Sequence, residues 1–202
     1  MKRDLFMIRD VGLALAGFGV VCLTWFAVQF ATTASFQREQ NVKLAQEIDA
    51  GAGPRSVTGP APRPAPAPAN GIVGRLEIPR LGMSAIVVEG EDAATLKRAV
   101  GHLPDTAMPW EDGNTALAGH RDTFFRPLRA IHLGDEVRLV TAHGTFVYRV
   151  QETQIVGPDD VGVLSAGPRA RLTLVTCYPF SYVGSAPWRF IVRAERLDDL
   201  DR

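Results

Sequence analysis

The stretch EVRLVTAHGTFVYRV, residues 136–150, sets the reading of the chain. Phe146, Tyr148 and Val150 alternate on one face, which is the two-residue period of a strand. His143 and Gly144 interrupt that alternation, so the segment is expected to fold back as a hairpin. On its N-terminal side GRLEIP and SAIVVEG are short strand-like runs, and NTALA before Gly119 is another. On its C-terminal side RLTLVTCY at 171–178 and WRFIVRAERL at 188–197 continue the pattern. Only two helical pieces intervene. Asp92 is placed to cap AATLKRAV, and Pro127 suits the first helical position of FFRPLRAI. Gly157, Pro158, Gly162, Gly167 and Pro168 mark 152–170 as a long surface loop. Regular short strands with few helices predict an all-β domain, a closed or nearly closed β-barrel, over 71–202.

The residues before this domain belong to two other compositions. Val11 to Gln37 contains no charged residue, and 11–31 is mostly apolar. As a helix those positions span about 31 Å, enough to cross a hydrocarbon core. The apolar run is longer than the core of a cleaved signal peptide, and ATTAS at 31–35 matches a cleavage site only loosely, which favours an uncleaved anchor over residues 1–35. Lys2, Arg3 and Arg9 before the span against Arg38 and Lys43 after it favour a cytoplasmic N-terminus. Residues 36–70 are expected to be a juxtamembrane helix followed by a spacer. SFQREQNVKLAQEIDA is partly helical in spacing, and six prolines between Pro54 and Pro68 predict an extended polyproline segment.

Charge excludes one class of function. The chain has zero formal net charge, and 71–202 carries 15 Lys and Arg against 17 Asp and Glu without a basic run, so a nucleic-acid partner is not expected. The two cysteines lie in different parts of the chain, Cys22 in the apolar run and Cys177 in the β-domain, and no disulfide framework is expected. No pair among the histidines and cysteines has metal-ligand spacing.

Chemistry concentrates around Cys177. Alternation places Leu172, Leu174 and Thr176 on one face of RLTLVTCY and Thr173, Val175 and Cys177 on the other, with Cys177 at the strand end before Pro179. A buried cysteine acting as a small hydrophobe is the alternative. A thiol with a pKa near about 8.5 needs a basic or cationic neighbour to act as a nucleophile at neutral pH. His120 ends another apolar strand in AGHRDTFF, where a surface histidine bonded to backbone is the other reading. Arg189 lies one residue into the strand WRFIV, where its burial calls for a partner, either a thiolate or oxyanion or, alternatively, a structural salt bridge. His102, in GHLP, is a rival histidine that does not end an apolar strand, and His132 and His143 read as solvated loop residues.

TLVTC at 173–177, AGHRDTFF at 118–125 and APWRFIV at 186–192 resemble, together, the three active-site signatures of the sortases. The flanks GRLEIPRLGMSAIVVEG, AVGHLPDTAMPWEDGN and CYPFSYVGSAPWRFIV are most similar to the class D branch, with Trp110 standing where glycine is expected in a loop. The resemblance implies an eight-stranded sortase-type β-barrel and a membrane-anchored cysteine transpeptidase with no cofactor. It implies that Cys177 forms a thioacyl intermediate with a Leu-Pro-x-Thr-Gly/Ala sorting signal, that His120 moves the proton, and that Arg189 holds substrate or oxyanion. The partners it implies are proteins bearing a C-terminal sorting signal and an amine acceptor, in the cell envelope or on a pilin subunit, with membrane attachment through 11–31. Thr176, Tyr178 and Tyr182 are candidates for the substrate groove, with loop packing as the alternative for the aromatics. Two other functions remain open. One is a thiol endopeptidase that passes the same intermediate to water; the other is a tethered barrel that binds envelope proteins with Cys177 inert. A peptidoglycan L,D-transpeptidase fits poorly, because Cys177 is flanked by Thr176 and Tyr178.

Overall fold

The computed structural model describes residues 2–51, 71–167 and 169–197. The proline-rich spacer expected over 54–68 lies outside the described residues. The chain divides into two compact units, residues 1–38 and 39–202.

The first unit is helical. Helix α1, Lys2–Gly51, includes all of its described residues, and the apolar side chains of Phe18, Leu23, Trp25 and Phe30 are exposed. By length and composition this helix can cross a membrane.

In the second unit eight strands close into a barrel in the order β1-β2-β3-β4-β7-β8-β6-β5. They are β1 Ile72–Ile78, β2 Met83–Glu89, β3 Val100–His102, β4 Asn114–Ala118, β5 Glu136–Thr141, β6 Gly144–Val156, β7 Arg171–Tyr178 and β8 Trp188–Arg196. Closure comes from β1 pairing antiparallel with both β2 and β5, so no strand edge is left to template association. Two pairs are parallel, β2 with β3 and β4 with β7. The hairpin at His143 and Gly144 forms as expected, and Gly144 has φ +132°, a conformation that L side chains rarely adopt.

The interior is apolar and filled. Leu76, Val87, Leu117, Leu139, Leu172, Leu174 and Val192 meet there, with Tyr148 and Val150 from the hairpin and Phe146 packed alongside. Burial pushes the Tyr148 phenol up to about 12, so it stays neutral in the core at physiological pH. A smaller cluster lies outside the barrel, where Leu44 of α1 packs on Ile72 and Ile86, with Ile48 and Val88 beside it. Arg75 donates to Asn41 Oδ1 at 3.2 Å across the same contact.

Two expectations are corrected. The helix after Asp92 ends at Arg98 rather than running through Val100. The cap is as expected, since Asp92 accepts from the backbone N–H groups of Ala94 and Thr95. The Thr95 hydroxyl and then those N–H groups hold its carboxyl below the usual carboxylate range. Val100 leaves the helix because it pairs with Val87 in the parallel β2–β3 ladder, where a Cβ on Gly101 would stand 2.3 Å from the Gly90 carbonyl oxygen. The loop expected over 152–170 is also shorter, because β6 runs to Val156. Residues 152–156 pair with β8, and a single 3-10 turn at Val161–Leu164 breaks the remainder.

Asp135 ties the turn before β5 together. It is buried, accepts from Arg80 Nη2 at 2.6 Å and from the His132 N–H at 2.8 Å, and its carboxyl is held below the usual range chiefly by Arg80. A carboxyl lowered in the folded state stabilises above the unfolded carboxylate pKa of about 3.9, and that contribution is lost as pH falls through the lowered folded value. Asp135→Asn is therefore expected to cost about 1–3 kcal/mol at neutral pH, and proportionately less in acid. Urea unfolding of the variant and the parent at pH 7 and at pH 3 checks both the size and the sign.

Candidate active site

The site is built by three neighbouring strands, β4, β7 and β8, and by the alternation that fills the barrel. Strands β4 and β7 are parallel, with Leu117 beside Leu174 and Ala118 beside Val175. Strands β7 and β8 are antiparallel, with Leu174 beside Val192 and Cys177 beside Arg189. The row Leu117, Leu174, Val192 lies in the core. The next row outward along the strands, Ala118, Val175, Ile191, faces the other way. Cys177 and Arg189 pair on the face away from the core, and the β4–β7 register, if extended two residues past the end of β4, would bring His120 to the same row.

Backbone and side-chain bonds hold that extension in place. The Gly119 N–H donates to the Val175 carbonyl at 3.2 Å, continuing the β4–β7 ladder. The Thr176 hydroxyl donates to the Gly119 carbonyl at 2.7 Å. The His120 carbonyl then accepts from the Phe125 N–H at 3.0 Å, turning the chain immediately after the histidine. All three members of the row are half-buried, so each is fixed yet reachable. Arg189 Nη1 donates to the carbonyls of Trp188 at 3.1 Å and Ala186 at 3.3 Å. Those bonds hold the guanidinium, which has no acidic partner among the described residues and so keeps its charge available for an electrostatic role.

Beyond the row the chain forms an aromatic wall. Phe190 stacks on Tyr178 at 6.3 Å and meets Phe180 edge-on at 5.4 Å, next to a cis peptide bond between Tyr178 and Pro179. Tyr178, Phe180 and Tyr182 line an open groove of about 490 Å³ together with Arg121 and Arg126. Cys177 and His120 adjoin this groove through their chain neighbours Tyr178 and Arg121 rather than lining it.

The candidates named from sequence are thus distributed unevenly. Tyr178 and Tyr182 are on the groove. Thr176 is only 2% exposed and spends its hydroxyl on Gly119, so it braces the segment that leads to His120 rather than lining the groove. His102 is fully buried. Its Nδ1 lies 2.8 Å from Glu89 Oε2 and its Nε2 3.2 Å from the Ala107 carbonyl, which makes it a bracing group between β2 and the following loop. His143 is exposed, with its ring 4.0 Å from that of Trp110, which itself packs against the core. Arg121, within AGHRDTFF, has a structural part that its sequence position does not signal. Its Nη2 donates to the carbonyls of Tyr182 at 2.7 Å and Gly184 at 3.0 Å, tying the loop after β4 to the loop after β7.

A thiol, an imidazole and a guanidinium in one row at the rim of a closed barrel suit acyl transfer through a thioester. The comparisons with known proteins agree with that class, and the chain belongs to the sortase family. The Sortase domain model matches residues 76–197. Sortase D of Bacillus subtilis (strain 168) is 37% identical over 98% of this chain and 100% of its own. Among solved structures, a Clostridium perfringens Sortase D5 transpeptidase is 31% identical with a TM-score of 0.57, covering 63% of this chain and 79% of that one. Sortase C-1 from Actinomyces oris is 26% identical with a TM-score of 0.60, covering 77% and 98%. The protein is a sortase-type cysteine transpeptidase with an N-terminal helix fit for membrane anchoring, and its substrates are proteins that carry sorting signals.

The position of Gly119 gives a test of the site's geometry. A Cβ there would stand 2.9 Å from the ring of Phe125, which is fully buried. Gly119→Ala is expected to cost about 1–3 kcal/mol of stability through overpacking. It should also slow labelling of Cys177 or turnover by displacing His120, whereas an equally destabilising change far from β4, such as Asp135→Asn, should not. Unfolding curves and turnover of the two variants below their melting transitions make the comparison.

Proposed function

We propose that Cys177 is the nucleophile of the transfer, that His120 carries its proton, and that Arg189 stabilises the oxyanion. The observation that supports this reading is the cross-strand pairing of Cys177 with Arg189, beside a β4–β7 ladder that the Gly119 N–H carries to the residue before His120. The Cys177 sulfur, as thiolate, attacks the threonine carbonyl of a Leu-Pro-x-Thr-Gly or Leu-Pro-x-Thr-Ala signal. The carbonyl π pair moves to oxygen, where Arg189 meets the negative charge. Collapse breaks the C–N bond to the next residue, and His120 protonates the leaving amine. The result is a thioester between Cys177 and threonine. An incoming amine on an envelope component or pilin subunit, deprotonated by His120, then attacks that thioester and expels the thiolate, so the protonation states of both groups are restored.

The half-buried position of Cys177 and the open groove beside it favour turnover over an inert binding barrel. The same intermediate would be passed to water in a thiol endopeptidase, and supplying an amine separates the two, since a transferase gives the amide product. Tyr178 and Tyr182 are assigned to the groove that receives the signal, and Thr176 to the bracing of His120. The apolar helix supports attachment through residues 11–31, and Lys2, Arg3 and Arg9 ahead of it favour the N-terminus in the cytoplasm and the barrel on the outer side of the membrane. Protease added outside intact spheroplasts should then reach the barrel.

Intact-protein mass spectrometry after mixing the chain with Leu-Pro-x-Thr-Gly/Ala peptides should give a mass gain equal to the acyl fragment ending in threonine. Cys177→Ala should abolish it. His120→Ala and Arg189→Ala should each lower turnover by about a hundredfold or more, the range for losing a general acid–base or an oxyanion donor. An adduct that survives in Cys177→Ala would rule out this nucleophile.

A further inference from the structure

The groove beside the site carries an imbalance of charge that the transfer chemistry leaves unused. Its lining includes Arg121, Arg126 and Arg129 against one carboxylate, Asp122. Arg121 is engaged by the carbonyls of Tyr182 and Gly184. Arg80, at the same end of the barrel, is neutralised by Asp135. Arg126 and Arg129 have neither kind of partner among the described residues, and Asp122, four residues before Arg126, forms no ion pair with either.

Local structure explains why the two point together. They lie on the 3-10 helix Arg126–Ala130, three residues apart. A 3-10 helix has three residues per turn, so side chains at i and i+3 eclipse. Pro127 and the buried Leu128 fix the orientation of this turn against the core. Two exposed guanidiniums therefore stand one above the other on one face, and the same pair also lines a second, adjoining hollow with Leu81 and Thr123. Unneutralised cations held side by side repel unless an anion lies between them. The guanidinium fork matches a carboxylate in two-point geometry.

We propose that Arg126 and Arg129 form a carboxylate-binding face that selects an acidic group on one of the two substrates of the acyl transfer. The inference rests on the reading of this groove as the substrate groove. The acid belongs either to the sorting peptide, as a side chain near the Leu-Pro-x-Thr core, or to the acceptor, as a carboxylate close to the attacking amine.

Both sources can be tested with the full-length chain in detergent. For the donor, fluorescent Leu-Pro-x-Thr-Gly peptides with two flanking residues on each side carry Glu or Gln in turn at each variable position. Their binding to Cys177→Ala is read by anisotropy, with and without Arg126→Gln and Arg129→Gln together. For the acceptor, rates of capture by lysine and by cadaverine, which differ by one carboxylate, are compared in chains with a native Cys177. The expected result is a preference of about tenfold for the acidic member of one of these comparisons, falling to near parity in the double variant. It should shrink with added salt and be partly retained when both arginines become lysine. If no comparison yields a preference that depends on the arginines, or if no peptide binds and capture is indifferent to the carboxylate, the proposal is overturned. The donor arm needs no turnover, so failure of the Cys177 mechanism, seen as no adduct on the parent chain, is distinguishable from failure here.

Discussion

The hydroxyl of Thr176 reaches the carbonyl of Gly119 in a buried position, and this bond between residues 57 apart in sequence aligns the two loops that matter. Strand β4 is only five residues long and its ladder with β7 is parallel, a pairing slightly weaker per residue than an antiparallel one. Without an anchor beyond Ala118 the chain would be free to diverge from β7 before it reaches His120. The Thr176 bond and the Gly119 N–H extend the ladder by one residue, and the absence of a side chain at Gly119 lets Phe125 close over the backbone there. Buried Phe125 in turn belongs to the core that the barrel encloses. The alignment of the row is thus coupled to barrel stability, and the site needs no separate scaffold.

Alternation does the rest of the placing. Because side chains change face at every residue, a strand that puts Leu172, Leu174 and Thr176 inward must put Cys177 outward. A slip of one residue in the β7–β8 register would bury the thiol and expose leucine, so the hydrophobic core itself enforces the pairing of Cys177 with Arg189. Asn114 and Thr173 fasten β7 to its other neighbour at the start of β4, where Thr173 Oγ1 donates to Asn114 Oδ1 at 2.7 Å in a buried position. Specificity of register and placement of chemistry are consequences of the same pattern.

That pattern is also why so much was legible in the sequence. The strands with one face in the core, above all β5, the first half of β6, β7 and β8, announce themselves by period, and the sequence bounds of β7 match those of the structure. Strand β3 was not legible, because three residues with Gly101 at their centre are too short for a period and owe their conformation to pairing with β2. Residues 152–156 were not legible for the opposite reason. They pair with β8 but are mostly exposed, so no hydrophobic alternation marks them. At the candidate site, Cys177, His120 and Arg189 stand out in the sequence because each breaks the local pattern of an apolar strand end. Thr176 could not be assigned correctly from the strand alone, since its partner is a backbone carbonyl on another strand.

The charged side chains near the groove obey a different logic from the core. Arg121 spends its donors on carbonyls of the loop after β7, where removal would leave backbone acceptors unpaired and the groove wall untied. Arg80 closes on Asp135 and holds the turn into β5. Both are structural uses of arginine, in which the cation finds its partner within the fold. The 3-10 turn between them keeps Arg126 and Arg129 exposed on a base fixed by Pro127 and Leu128. A fold that satisfies its neighbouring cations internally and leaves two on the wall of its groove has separated the charges that hold the groove from those that can read what enters it. The cost of leaving that pair unneutralised is small in open solvent, where screening is strong. It rises as a substrate displaces water from the groove, so a neutral substrate meets a penalty that an acidic one relieves.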